Sequence, residues 1–507
     1  MSLTGPETAL SAGTCCQREF GLTMIRLFCL LVGAKALLAQ PEWRVQWSAY
    51  LPGNFADTAR AVAVDREGGL WIAGSSYSVF DAPGPNNPIQ RSPRGQSDIF
   101  VARYVIGRDG RPTLDYWTWL GGSNNDELRA MAIGENGRIY LTGTTDSSDF
   151  PLGGEAFQNQ PAGAGDGFLA IIDPTIEGEF GLVYCTYFGG NKRDEPNAIA
   201  VDPKGRVAVV GTTNSDTLPN ISGGAQASLR GAFDAFLLVF DLADNSRYVT
   251  FLGGRGNDNA TGVAFDAQGQ VWFSGSTGSD DFPVTNDGFR QLPSVFFDGF
   301  LARINPSVNG LDGLTYATFF GGSGTDVPTA LARDANGHLW ISGHTNSADL
   351  PTSANAFQRT FGGNTDMFLL RFDPELPPAN SLAFSSYFGG VGAEIAYGLA
   401  VANGRVALTG YTMFGGLPVT TNAAQTSPAS SFPDSFVAVF DVAAGRPEYV
   451  SYLGGAFTDV GLSVAIDRDG AVQLVGYSNS ADFPVTDGSQ RSGPAGSPSA
   501  VITRYVP

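Results

Sequence analysis

Histidine is nearly missing from this sequence: His338 and His344 are the two among 507 residues. They stand six positions apart, bracketing a strand-like stretch. At about 3.3 Å per residue that places them roughly 20 Å apart, too far to share a metal ion or a catalytic triad. No His-Glu-x-x-His, Cys-His cluster, phosphate-binding glycine loop or Gly-x-Ser-x-Gly is present, so the chemistries those motifs carry have no foothold here. Basic residues are also scarce, 30 Lys and Arg against 49 Asp and Glu, for a net charge of −19. A chain this acidic lacks the footprint that phosphate-backbone binding needs, and an anionic membrane surface would repel it. After residue 43 no stretch sustains a 3.6-residue apolar period, so long helices are not expected. Cysteines number four, and Cys15, Cys16 and Cys29 lie in the first 39 residues.

Those first residues differ from the rest. Met24-Ile25-Arg26, an apolar run from Leu27 to Ala39, then Gln40-Pro41 reads as a secretory signal, although Lys35 interrupts the run. The run is shorter than the ~20 residues that span a bilayer. Residues 1–39 are therefore expected to be an N-terminal extension plus signal, with Met24 as the start. Cleavage after Ala39 would leave Cys185 alone, unable to form an intrachain disulfide. Cys185 takes a strand position held elsewhere by Trp117, Val249, Ala317, Ser385 and Val450. That substitution pattern reads as a core filler.

What is abundant is glycine, 66 residues, and much of it is periodic. An aromatic strand running into Gly-Gly, then an acid, recurs as Trp119–Gly122, Tyr187–Gly190, Phe251–Gly254, Phe319–Gly322, Tyr387–Gly390 and Tyr452–Gly455, with a degraded copy at Tyr50–Gly53. The copies lie about 64 to 69 residues apart, and such a period decides the fold before any other reading. Each unit holds four strand-like pieces. In the second these are Leu128–Ile133, Ile139–Thr145, Gly167–Ile172 and Leu182–Phe188, with a tight turn at Glu135-Asn136-Gly137 and a long loop containing Asp149-Phe150-Pro151. An aspartate opens the third strand at Asp98, Asp166, Asp234, Asp298, Asp366 and Asp434, and Ser499 stands there in the last unit.

Seven units of four antiparallel strands predict an all-β, seven-bladed β-propeller over residues 43–507. The chain opens on a lone fourth strand, Arg44–Leu51, and closes on a third, Ala500–Val506. The N-terminal strand is therefore expected to complete the last blade and close the ring, removing an open edge.

These linked motifs resemble the SBBP repeats, a propeller repeat of exported bacterial proteins. The match is read on Leu314–Asp326, Gly337–Thr345, Asp349-Leu350-Pro351 and Asp366–Asp373, and it extends over roughly residues 43–507. The resemblance implies an exported or cell-surface location and brings no catalytic residues. Unit one departs most, with Pro52 in place of a glycine. Unit six replaces its polar loop with Met413-Phe414-Gly415-Gly416.

Alternate loops of an antiparallel blade share a face, so the Gly-Gly turn and the Asp-Phe-Pro loop should lie together, and loops are where function concentrates. Every unit offers an acid there: Asp57, Asp126, Asp194, Asp258, Asp326, Glu394 and Asp459. One reading is a carboxylate ring holding Ca²⁺ or another cation. The other is a repeated acceptor for turn N–H groups and Ser/Thr hydroxyls. Gly-Gly-x-Gly-x-Asp at residues 253–258 and 321–326 mimics a calcium nonapeptide, but that β-roll needs tandem copies. A specific site is expected where the copies disagree: the basic pair Lys192-Arg193, the apolar tip Met413-Phe414, and Tyr411 and Tyr477 as ring platforms. For each, a solvated or packed loop residue is the plain alternative. Tyr411 and Tyr477 share a variable position with Thr144, Thr212, Ser276 and His344.

The function expected is a non-enzymatic scaffold binding protein or glycan, monomeric, secreted or on the cell surface. It would have no nucleic-acid partner and no membrane span after signal cleavage. The alternatives are a polysaccharide-active hydrolase or lyase using a carboxylate pair, for which no catalytic residue is assigned, and a structural module stabilised by Ca²⁺.

Overall fold

Strands two and three of each unit are apolar at nearly every position, because both their faces are buried. Ile139 and Leu141 face one core and Tyr140 the next. Val207 and Val209 enter one core, Ala208 and Val210 its neighbour. Period-two alternation thus divides each strand between two junctions. Among the described residues this yields seven buried apolar clusters, one between each pair of adjacent sheets.

The computed structural model describes residues 42–221, 223–443, 445–486 and 497–507. The signal-like segment and its three cysteines lie outside them. Trp43–Pro507 is one compact unit of seven four-stranded antiparallel sheets, a seven-bladed β-propeller. Blades 1 to 7 begin with the strands Asp57–Val64, Asp126–Ile133, Asp194–Val201, Asp258–Phe265, Asp326–Arg333, Ala393–Ala402 and Asp459–Ile466. These first strands pack on one another around the whole circle, blade 7 against blade 1, and so line the axial channel. The four pieces expected in the second unit are found at Asp126–Ile133, Ile139–Thr145, Asp166–Ile172 and Leu182–Phe188. The tight turn between the first two has Gly137 at φ 78°, a conformation that costs glycine little and other residues more.

The ring closes as the chain ends predict. Arg44–Tyr50 pairs antiparallel with Ser499–Val506, from Arg44 opposite Val506 to Tyr50 opposite Val501. Ser48 Oγ and Thr503 Oγ1 share a buried hydrogen bond of 2.9 Å, and the Tyr50 hydroxyl donates to the Ser480 carbonyl. Cys185 is buried and unoxidised, and burial pushes its thiol well above the usual range. Among the described residues no helix is long and apolar enough to cross a membrane.

Each first strand also carries a β-bulge at the same place. Its pairing register skips one residue: Arg60, Arg129, Asn197, Thr261, Thr329, Tyr397 and Leu462, in blade order. A bulge re-aims the skipped side chain, and here it does so on the channel wall.

Candidate functional site

The seven repeated acids are all buried, and each sits in its own junction. Asp126 accepts from Gly122 N at 2.7 Å, Thr145 Oγ1 at 2.5 Å and Ser147 Oγ at 3.0 Å. Asp194 accepts from Gly190 N, Thr213 Oγ1 and Ser215 Oγ at 2.7, 2.5 and 2.9 Å. Asp326 repeats the set with Gly322, Thr345 and Ser347. Asp57 takes Ser76 and Ser78; Asp258 takes Gly254 and Ser279; Asp459 takes Gly455 and Ser480. In blade 6 Phe414 stands where the other loops place the clip serine, and the extra methylene of Glu394 carries its carboxylate to Gly390 N and Thr412 Oγ1 at 2.9 and 3.1 Å. Donors of the protein thus take most of these carboxylate oxygens, Oδ1 of Asp258 and of Asp459 being left without a partner. The structure does not bring the seven acids together, and among the described residues no three His, Cys, Asp or Glu could hold one metal ion.

A second carboxylate completes each clip, and with it a residue that the sequence reading missed. The aspartate opening a third strand faces the acid of the following blade across the first glycine of Gly-Gly. A Cβ on Gly253 would lie 2.6 Å from Asp258 Oδ2 and 2.7 Å from Asp234 Cγ, so this position has no room for a side chain. Gln226 bridges the two parts, giving Nε2 to Asp234 at 2.6 Å and accepting from Gly253 N at 3.0 Å. Gln90, Gln158 and Gln358 do the same, and Gln425 accepts from Gly454 N. Arg290 replaces glutamine in blade 4 and pairs with Asp298 at 3.1 Å. The signal was a glutamine eight residues before the third-strand aspartate (nine in blade 6), in the same loop as the Asp-Phe-Pro element.

The Asp-Phe-Pro loop belongs to the same frame. Ser123 Oγ donates to Asp149 at 2.9 Å, placing the two signature loops on one face as expected. Phe150, Leu218, Phe282, Leu350, Leu417 and Phe483 are all buried. Phe150 N donates to the Tyr187 hydroxyl, which in turn donates to the Ser147 carbonyl.

Burial raises the clip carboxyls: Asp57, Asp126, Asp166, Asp258 and Asp459 to about 6, and Glu394 and Asp434 to about 7. The neighbouring carboxylate adds to the rise at Asp126 and Glu394. A carboxyl whose folded value is raised contributes stability that is complete below its unfolded value, near 4, and is lost as pH climbs through its folded value. Surface carboxylates such as Asp349, lowered by the Ser323 N–H, act in the opposite sense, below about pH 4. The melting temperature is therefore expected to rise by several degrees between pH 8 and pH 5 and to drop below about pH 4. A melting temperature climbing from pH 5 to 8 would contradict this assignment.

The residues where the copies disagree fall into three places. Lys192 and Arg193 lie together on the loop face between blades 2 and 4. Lys192 Nζ is 2.9 Å from Asp216, and Arg193 pairs with Glu195. Two cavities meet at Arg193, one of about 290 Å³ and one of about 540 Å³. Side chains bearing amide, hydroxyl or charged groups make up most of their lining, with Phe233 and Phe297 partly exposed at one side. Tyr411 and Tyr477 lie in the channel wall, where Tyr411 packs on Tyr397 with ring centroids 6.0 Å apart. Phe414 is 64% exposed at φ 66°, and with half-buried Met413 it forms a separate tip. His338 bonds to Asp334 at 2.9 Å. His344 lies within the strand Leu339–Thr345 rather than beyond its end, at the level of Tyr411, and the two histidines do not meet.

The family model of the SBBP β-propeller repeat matches residues 183–219, from the last strand of blade 2 into the loop after the second strand of blade 3. The chain is 26% identical over 301 residues to the regulatory protein FlaEY of Caulobacter vibrioides. That alignment covers 56% of this chain and 29% of the relative, so the chain spans under a third of that protein's length. Among solved structures, a protein of unknown function from Dyadobacter fermentans is 12% identical, covering 92% of this chain and 99% of that one with a TM-score of 0.39. Hydrazine synthase of Kuenenia stuttgartiensis is 12% identical, covering 79% and 94%, with a TM-score of 0.35.

Proposed function

We propose that this chain, a seven-bladed propeller carrying the SBBP repeat, is a non-enzymatic binding scaffold whose loop face takes a glycan or a protein segment at the cavities around Arg193. The observation that carries the reading is the contrast between blades. The repeated acids are held mainly by the protein's own donors in every blade, whereas Arg193, Lys192 and their neighbours, Asp258 among them, line concave space of the size that ligands occupy. Amide and carboxylate walls beside two partly exposed phenylalanines suit a sugar, which presents hydroxyls at its edge and C–H groups on its face. A binding role also agrees with the word "regulatory" in the name of the Caulobacter relative. Export to the cell surface or beyond is part of this proposal and rests on the signal-like run Leu27–Ala39.

The test is a screen of neutral and acidic glycans and of peptides against the chain and its Arg193→Ala and Glu195→Ala variants. A ligand is expected whose affinity falls about tenfold in each variant, with no turnover. Conversion of that ligand, abolished by a single Asp→Asn change, would replace the scaffold reading with a hydrolase or lyase.

A further inference from the structure

The seven bulge residues divide the channel wall into two unlike arcs. On blades 3, 4 and 5 they are spent on the ring itself. Asn197 Nδ2 donates to the Ala260 carbonyl at 3.0 Å, Thr261 Oγ1 to the Pro328 carbonyl at 2.9 Å, and Thr329 Oγ1 to the Ala396 carbonyl at 2.7 Å. Each seals its blade to the next. On blades 6, 7, 1 and 2 the same position holds Tyr397, Leu462, Arg60 and Arg129, and no such seal forms among them.

The two arginines stand out. Among the described residues no carboxylate lies within ion-pairing distance of Arg60. Arg129 reaches Glu127 only at 3.7 Å, and its Nε is buried without a partner. Arg103, by contrast, meets Asp65, Glu67 and Asp115, all at 2.7 Å, and Arg405 holds Glu448 through both Nε and Nη2, while Arg371, whose Nε is also unpartnered, lies over the Trp340 ring. Arg60 lies within electrostatic range of Arg129 and Glu127 on blade 2, Tyr477 on blade 7 and Tyr397 on blade 6. Blade 6 is not adjacent to blade 1, so these groups converge across the channel. Two neighbouring guanidinium groups withdrawn from water, sharing one loosely held acid, form a site that favours an anion. The planar fork of arginine matches a carboxylate in particular.

We propose that the axial channel binds a carboxylated sugar, a uronic acid, with Arg60 and Arg129 holding its carboxylate and Tyr397, Tyr411 and Tyr477 facing its ring. Burial raises all three phenols, so they remain hydroxyl donors at neutral pH. Their rings supply flat surface for the C–H face of a pyranose. An overall charge of −19 opposes a polyanion lying along the surface, so the ligand enters as a chain end bearing one carboxylate. The site borders the larger Arg193 cavity, whose lining includes the Glu127 that Arg129 reaches, but neither Arg60 nor Arg129 lines that cavity, so different variants test the two ligand sites.

Calorimetric titration of the full chain tests it with three probes: a glucuronate-terminated disaccharide, its glucose-terminated counterpart and a tripeptide ending in glutamate. The uronate is expected to bind, with the neutral sugar and the peptide at least tenfold weaker. Arg60→Gln and Arg129→Gln should each weaken the uronate at least tenfold while keeping the parent melting temperature, and Arg108→Ala, at an exposed turn away from both sites, should leave it unchanged. Absence of uronate binding, equal affinity for the neutral sugar, preference for the peptide, or undiminished binding in both arginine variants would each overturn the proposal. The three-probe comparison on the unaltered chain decides the matter even if an arginine variant fails to fold.

Discussion

Deleting residues 43–51 is expected to abolish cooperative folding of the ring. The segment buries Trp43, Trp47, Ala49, Tyr50 and Leu51. At about 1.5–3 kcal/mol for each large side chain, the lost burial is on the order of 8 kcal/mol, comparable to the whole stability of a typical domain. Its removal also strands Ser499–Val506 as an unpaired edge and opens the junction core that Trp47 and Leu51 share with blade 1. Circular dichroism and tryptophan fluorescence through a thermal scan would show a broad, low-temperature change in place of one sharp transition. An unaltered transition in the truncated chain would mean that the ring does not depend on its closing strand.

Asp194→Ala is expected to cost about 3 kcal/mol, whereas Lys192→Ala, a few residues away, should stay within ~0.5 kcal/mol. Two opposing effects act at Asp194. Burial makes its ionised form expensive, and that alone raises its carboxyl above the usual range. Removing the acceptor, however, leaves Gly190 N, Thr213 Oγ1 and Ser215 Oγ facing nothing. Unpaired buried donors cost about 1–3 kcal/mol each, so the second effect wins. Ser215 Oγ also accepts from Lys192 N at 3.0 Å, so the Gly-Gly loop that presents Lys192 and Arg193 loosens with it. Lys192 itself reaches Asp216 across solvent, an ion pair of the weak, exposed kind. Denaturant unfolding of both variants measures the difference. An Asp194→Ala cost below about 1 kcal/mol would remove the clip from the list of forces holding the blades together.

The architecture could be read from the sequence because its determinants are local and repeated. Tyr316 to Asp326 contains a strand, a turn and an anchoring acid within eleven residues, and six other copies fix the register. The Gln226 clip was not legible for a different reason: its partners, Asp234 and Gly253, stand at the start of one strand and just past the end of the next, and nothing in the sequence says that one glutamine reaches both. The bulge was less legible still. Whether residue 60 is paired or skipped depends on the register between two strands, not on its being arginine. Consequently the meeting of Arg60, Arg129 and Tyr397 could not be seen in the sequence, although Tyr411 and Tyr477 could be singled out. Lys192 and Arg193 were visible because they break a pattern. That they border concave space was not, since cavity shape comes from the loops of three blades together.

The hydrogen bond between Ser48 and Thr503 joins residues 455 positions apart, and its consequence concerns time rather than strength. Contacts of such sequence separation form late, because the loop they close must first be ordered. Hairpins and whole blades can assemble while the chain is being made, yet Arg44–Tyr50, synthesised near the beginning, has no partner until Ser499–Val506 exists. Through that interval the molecule is an open arc with an apolar strand at one end, the state in which a partner strand from another copy could pair in its place. Ring closure is therefore expected to be the slow, concentration-sensitive step of folding, with the earliest strand the last to find its place.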